Sequence, residues 1–317
     1  MTTGLVVMAY GTPGSPDEVE AYYTDIRRGR PPSAEQLADL TARYQAIGGV
    51  SPLAERTRAQ VAAIAAALDE AEPGAWRVEL GNKHAAPFVE SAVAALAGHD
   101  GARDAARDAG DEAGGARPDR VIGLVLAPHY ARASVGEYHR RAAATASEHG
   151  VPYTPIESWH RLDAWRDAQA SRVRAAREAL PARTKVLFTA HSLPEQALEG
   201  DPYPDELRTS AGAIAARSGL ERWYGWTLAW QSAGRTPEPW RGPDVTQVIR
   251  DLASTGRAEG VLVCPQGFVS DHLEVLYDLD IEARRVAEEA GLAFARTASI
   301  NDEPAVMAAL AELVRSV

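Results

Sequence analysis

Eight short apolar runs, separated by stretches of helical propensity, constrain this chain more tightly than anything else in it. The runs are Gly4–Ala9, Arg77–Gly81, Arg120–Ala127, Val151–Glu157, Lys185–Ala190, Trp223–Trp230, Gly260–Cys264 and Leu292–Arg296. Several are apolar at nearly every position, as in GLVVMA, RVIGLVLA and KVLFTA, which predicts strands covered on both faces. Such strands alternating with helices mean parallel sheets. At 317 residues the chain has the length of about two domains, and the runs divide into two sets of four. The expected fold is α/β, with two similar doubly wound domains at residues 1–145 and 146–302. A closing amphipathic helix at 303–317 is expected to join the first. The segment Gly98–Asp119 is acidic, glycine-rich and without apolar periodicity, and reads as a surface insertion.

Charge and motif content narrow the chemistry. The net charge of −11 opposes nucleic acid and anionic membrane surfaces, and it suits a cationic ligand. The single cysteine, Cys264, leaves no intrachain disulfide and no four-cysteine iron–sulfur cluster. Its place inside an apolar run points to packing. The opening MTTGLVVMAYGTP has no basic leader, and no apolar run reaches the roughly 18 residues of a membrane span. A cytoplasmic location without a transmembrane segment is expected. Neither G-x-G-x-x-G nor G-x-x-x-x-G-K-[ST] occurs, so no dinucleotide or P-loop nucleotide site is expected.

Open α/β sheets bind ligands beyond the carboxyl ends of their strands, and three strands here end in reactive residues. The first runs into Tyr10. The fifth runs into His191 and Ser192, where a Ser-Leu-Pro turn holds the imidazole at the crevice. The seventh leads through Pro265, Gly267 and Ser270 into a predicted helix. Along that helix Glu274, Asp278 and Glu282 recur every fourth residue, so three carboxylates share roughly one face. A blander account competes. Asp271 and Glu274 fit a D-x-x-E capping box, and Asp278 and Glu282 would then decorate a solvated face. His129, in APHY, ends the third strand in the same way with less chemistry around it. His84, His99, His139, His149 and His160 carry no signal.

A Ser–His–Asp hydrolase does not fit, because His191 and Ser192 are adjacent and point to opposite faces of an extended chain, and no G-x-S-x-G elbow is present. A zinc site lacks H-x-x-x-H or paired cysteines. What remains is one imidazole facing a line of carboxylates, a surface for a hard metal ion or a proton relay.

The segments VMAYGTP, YYTDIRRGRPPS, RYQAIGGVSPLA, LAPHYA, FTAHSLPE, GDPYPDEL, WQSAGRTPEPWRGPDV and PQGFVSDHLEVLYDLDIE resemble ferrochelatase in order along nearly the whole chain. The resemblance is closest to the soluble type of monoderm bacteria, which inserts iron into coproporphyrin III. It implies two doubly wound domains with a porphyrin cleft between them, Fe2+ as a substrate and no prosthetic group. It also implies a monomer, in transient contact at most with the next enzyme of haem synthesis. His191 and Glu274 take the places of the family's catalytic histidine and glutamate. Asp278 and Glu282 match its acidic line, and Tyr10 matches a tyrosine approaching the metal from the opposite porphyrin face. Metallation removes two pyrrole N–H protons, and histidine has the intrinsic pKa for that work.

The resemblance further places Tyr23, Arg27, Arg28, Arg43, Ser51, Tyr130 and Trp230 along the substrate cleft. Arginine forks suit carboxylates, and coproporphyrin has four propionates where protoporphyrin has two. For the tryptophans, Trp230 among them, core packing competes with packing on the macrocycle. Other readings remain: a protoporphyrin IX ferrochelatase, a cobalt chelatase of the same logic, and a non-catalytic tetrapyrrole or iron carrier.

Overall fold

The computed structural model describes residues 2–98, 117–222 and 224–317. Most of the glycine-rich insertion, residues 99–116 with His99, therefore lies outside the described residues. All eight apolar runs form strands: β1 Thr3–Ala9, β2 Trp76–Asn82, β3 Arg120–Val125, β4 Tyr153–Ile156, β5 Thr184–His191, β6 Trp226–Gln231, β7 Gly260–Cys264 and β8 Ala293–Arg296. They pair in parallel as two sheets of identical topology, β2-β1-β3-β4 and β6-β5-β7-β8. The expected α/β class, with two doubly wound parallel sheets, is what the chain adopts.

The side-chain period of two explains why these strands carry no polar face. Leu5 and Val7 of β1, Ile122 and Leu124 of β3, Val186 and Phe188 of β5, and Leu262 and Cys264 of β7 all turn into one cluster shared by both sheets. The alternate residues turn outward under other helices. Val6, Met8 and Val121 pack with Val89, Val93 and Tyr138, while Leu187, Val261 and Val263 pack with Val248, Ile249 and Val275. The interiors of these four central strands are thus apolar because both their faces are covered. The closing helix Pro304–Arg315 contributes Val306, Met307 and Leu310 to the shared cluster. There it packs on the helix Leu53–Ala71 through Ile64 and Leu68.

The strand order reverses at β1/β3 in one sheet and at β5/β7 in the other. A crevice opens beyond the carboxyl ends of the strands at such a point. Tyr10 directly follows β1, and His191 is the last residue of β5. All three of the strand ends singled out from sequence, those of β1, β5 and β7, therefore lie at switch points.

The acidic stretch after β7 departs from the expected α-helix. Val275–Ala283 is a π-helix, continued as the α-helix Arg284–Glu289. Its i→i+5 bonding widens each turn, a geometry that concentrates at functional sites. Positions four apart still fall near one another around the axis, so the carboxylate ridge survives the change.

Candidate active site

The loop after β7 is pressed against the end of β5. Gly267 donates its N–H to the Thr189 carbonyl at 3.0 Å, and a Cβ there would meet the Ala190 Cα at 2.8 Å. Only glycine permits this approach, which carries the start of the π-helix to His191. The Nε2 atom of His191 lies 3.5 Å from Glu274 Oε1, with both side chains 35% exposed. Its Nδ1–H donates to the carbonyl of Ser192. With Nδ1 thus committed, Nε2 is the nitrogen turned to Glu274.

Glu274 has a second imidazole on its other oxygen. His272 Nε2 is 3.6 Å from Glu274 Oε2, and His272 Nδ1 donates to the Ser270 carbonyl at 3.0 Å. Sequence reading passed over His272. The available signal was its place two residues before Glu274 in DHLE, and only the turn at Ser270 brings the ring round. The capping account of Glu274 does not hold, since its side chain caps no backbone N–H. Asp271 instead accepts from Ser299 Oγ at 2.8 Å and Asn301 Nδ2 at 3.0 Å.

These contacts set the charges. Burial pushes the His191 pKa down, but the Glu274 carboxylate, the bond to it and the Ser192 carbonyl overcome this and push it up to about 9. Burial raises that of Glu274, and the charges and bonds of His191 and His272 reverse this to hold it well below the usual carboxylate range. The pair rests as imidazolium and carboxylate. This differs from the expectation of a histidine poised near neutrality, because Glu274 stabilises the proton on the ring.

Asp278 is the next carboxylate outward and is buried. It accepts from Ser232 Oγ at 2.5 Å and faces Arg43 Nη1 at 3.5 Å. Burial, then the charge of Glu274, pushes its pKa up to about 6 against the opposing pull of Ser232 and Arg43. The more exposed Glu282 adds to that rise. The acidic line is therefore electrostatically coupled along its length. It is not a closed cage: among the described residues no three His, Cys, Asp or Glu side chains converge as a ready-made metal site.

Tyr10, directly after β1 in the other sheet, is 42% exposed. Desolvation in the cleft, followed by the Glu274 charge, raises its phenol pKa. The Tyr10 ring lies edge-on to His84, with centroids 4.7 Å apart, and His84 Nδ1 donates to Asp25 Oδ2 at 2.7 Å. His84, read from sequence as carrying no signal, thus lies against Tyr10.

The other expected cleft residues divide. Arg28 is exposed with φ +57°, and Arg27 stacks over the Tyr23 ring at 5.7 Å. Arg43 is engaged by Asp278, by Asp39 at 3.3 Å and by the Tyr277 ring at 4.8 Å. Ser51 is buried, its Oγ accepting from Leu53 N at the start of a helix. Tyr130 is half-buried, with its N–H donated to Glu206. Trp230 is only 4% exposed and packs with Tyr203 and Leu207, so it presents no open ring face. His129 is equally buried, donor or acceptor to Ser210 at 2.7 Å, and stacks on His160. A separate groove of about 540 Å³, lined by Glu90, Arg140, Arg141 and Glu148 among others, lies away from these groups.

Two parallel sheets sharing one core, with an imidazole–carboxylate pair at a switch point, define the chelatase fold. Solved structures agree on the fold. One is CbiX, described as the terminal enzyme of sirohaem biosynthesis in denitrifying bacteria, with TM-score 0.53, 15% identity and 100% and 99% of the two chains covered. Another is SirB from Bacillus subtilis with Fe3+, at TM-score 0.53 and 12% identity, covering 100% and 95%. The chain belongs to the ferrochelatase family, whose model matches residues 2–317. It is 43% identical to the coproporphyrin III ferrochelatase of Geobacillus kaustophilus (strain HTA426), covering 99% of this chain and 95% of that one. It is 41% identical to coproporphyrin III ferrochelatase 2 of Bacillus anthracis, covering 98% and 93%. Membership makes it a lyase, with Fe2+ as a substrate.

Proposed function

We propose that this chain inserts Fe2+ into coproporphyrin III to give coprohaem. The observation that carries the reading is the contact of His191 Nε2 with Glu274 Oε1 at the end of β5, in a chain of this family. The curated relatives act, by name, on coproporphyrin III.

In the resting pair His191 already holds a proton and cannot serve as a base. An incoming dication at Glu274 competes for the carboxylate that stabilises that proton. Coulomb repulsion then lowers the imidazole pKa, the proton already on Nε2 passes to water at the exposed edge of the ring, and Nε2 is freed to accept a pyrrole proton. Insertion forms the iron–nitrogen bonds and releases two protons, for which His191, His272 and Glu274 are the groups in place. Glu282, Asp278 and Glu274 offer oxygen ligands in sequence, and a line rather than a cage suits an ion that must be passed on. Tyr10 approaches from the other face.

In this reading Arg27 and Arg28 hold propionates, with the Tyr23 ring beneath the Arg27 guanidinium at 5.7 Å. Arg43 ties the rim to the acidic line, and Tyr130 and Ser51 complete the wall. Iron enters as substrate, and the burial of Cys264 within β7, where its thiol pKa is pushed up to about 12 by desolvation, supports a site without a cluster. No described helix is long and apolar enough to cross a membrane, and we propose a monomeric cytoplasmic enzyme, in two domains at residues 1–145 joined by the helix 303–317 and at 146–302, that hands its product on by transient contact. The test is anaerobic Fe2+ insertion into coproporphyrin III and protoporphyrin IX in parallel. Equal or faster use of protoporphyrin IX would reverse the substrate assignment, and no insertion into either would favour a carrier.

A further inference from the structure

Two motifs singled out in the sequence, LAPHYA and GDPYPDEL, supply no group to the metal and proton steps described above, yet they meet. The first forms the loop beyond β3, and the second leads into the helix Tyr203–Arg217. Glu206 Oε2 accepts the amide N–H of Tyr130 at 2.7 Å. Asp201 Oδ2 accepts the amide N–H of Arg132 at 2.8 Å. Two carboxylates of one half therefore grip alternate backbone amides of a loop in the other.

The grip is supported on both sides. Glu206 Oε2 also accepts from Ser158 Oγ at 2.9 Å and lies 3.3 Å from His160 Nδ1. Asp201 Oδ1 accepts from Tyr203 N at 3.0 Å. Tyr203 OH in turn donates to the His191 carbonyl at 3.4 Å. Within the gripped loop the Tyr130 ring is seated over Gly136, where a Cβ would come within 2.8 Å of the phenol oxygen. The loop bearing Tyr130 and the strand end bearing His191 are thus fastened to one helix start. Charged acceptors on backbone N–H groups make stronger and shorter bonds than neutral ones, as a fixed spacing requires.

We infer that Glu206 and Asp201 are positioning residues: they clasp the loop after β3 and so hold Tyr130 as a wall of the porphyrin cleft at a set distance from His191. The inference rests on the reading of the cleft as a porphyrin site. Coproporphyrin III without metal is the probe, titrated onto the intact protein by absorbance and tryptophan quenching. Glu206→Gln keeps the shape and loses the charge, and should weaken binding about tenfold, the loss expected for one charge-assisted bond. Asp201→Asn should act in the same direction. In a Tyr130→Ala background each should cost less than about twofold more, because coupled residues are not additive. Glu206→Asp, which keeps the charge on a shorter arm, should recover part of the affinity.

An equal loss in both backgrounds, or no loss in either, overturns the inference, since a general fold defect would not depend on Tyr130. Should Glu206→Gln fail to fold, the Asp201→Asn cycle decides alone. Failure of the unmodified protein to bind coproporphyrin would count against the cleft reading, and is seen separately.

Discussion

The guanidinium of Arg43, on the helix Ala34–Ala46, stands 3.5 Å from the carboxylate of Asp278 on the π-helix. One was expected at a propionate rim and the other in a metal line. Their contact makes the two sites neighbours. Arg43→Met should leave Asp278 buried without its cation, destabilising the fold by about 1–2 kcal/mol. It should raise the KM for Fe2+ at pH near 7, with recovery at higher pH as Asp278 ionises. Steady-state kinetics against pH would check this, and an unchanged Fe2+ KM would leave Arg43 with a rim role alone.

His191→Ala should lower kcat at least about a hundredfold, the scale of losing a general base, while metal-free porphyrin still binds. Stopped-flow insertion beside an equilibrium titration separates the two effects. Near-normal turnover would sink the role assigned to Nε2.

The His191–Glu274 pair predicts a pH dependence of stability. The His191 pKa is raised to about 9 from 6.5, so its contribution is complete below about 6.5 and is lost as pH rises through 9. The Glu274 pKa is lowered from 4.5, so its contribution is complete above about 4.5 and is lost at lower pH. Tm measured from about pH 6 to 9.5 should therefore fall more steeply in the unmodified protein than in Glu274→Gln. Parallel curves would show that the pair is not coupled in solution.

Asp278, with its pKa up at about 6, should make the Fe2+ KM rise as pH falls through 6. Asp278→Asn should raise that KM and abolish the limb. It should not reduce stability at neutral pH, because a carboxyl raised by burial costs stability once ionised. Glu282→Gln should raise the KM less, and Glu274→Gln should chiefly lower kcat. Loss of Tm with intact metal kinetics in all three would return the ridge to a structural role.

Arg28, which is exposed and which we propose holds a propionate, should support the preference for coproporphyrin. Each arginine–propionate pair in such a site contributes about 1 kcal/mol, so the preference in kcat/KM should be about tenfold to a hundredfold. Arg28→Ala and raised salt should each reduce it. Competition assays at two ionic strengths give the ratio directly.

The sheets were legible because their strands are covered on both sides. Leu5 to Met8 are all apolar, and each of those residues is fully buried, so local composition and final environment agree. The same agreement holds at β5 and β7, and it placed His191 and Tyr10 at strand ends before any contact was known. The carboxylate ridge was legible as a spacing, although the spacing alone did not distinguish a π-helix from an α-helix.

Tertiary structure decided what proximity decides. His272 lies on Glu274 because a turn at Ser270 folds it back, and His84 lies on Tyr10 because β2 pairs beside β1. Neither contact leaves a periodic mark in the chain. The proton on His191 depends on a carboxylate 83 positions away in the sequence and 3.5 Å away in space. Residue type sets the intrinsic pKa, but the field of neighbours drawn from other strands sets the charge at which the group works. The sequence by itself determined the two sheets and the chemical groups at their ends. Only the packing of one half against the other decided which of those groups share a field.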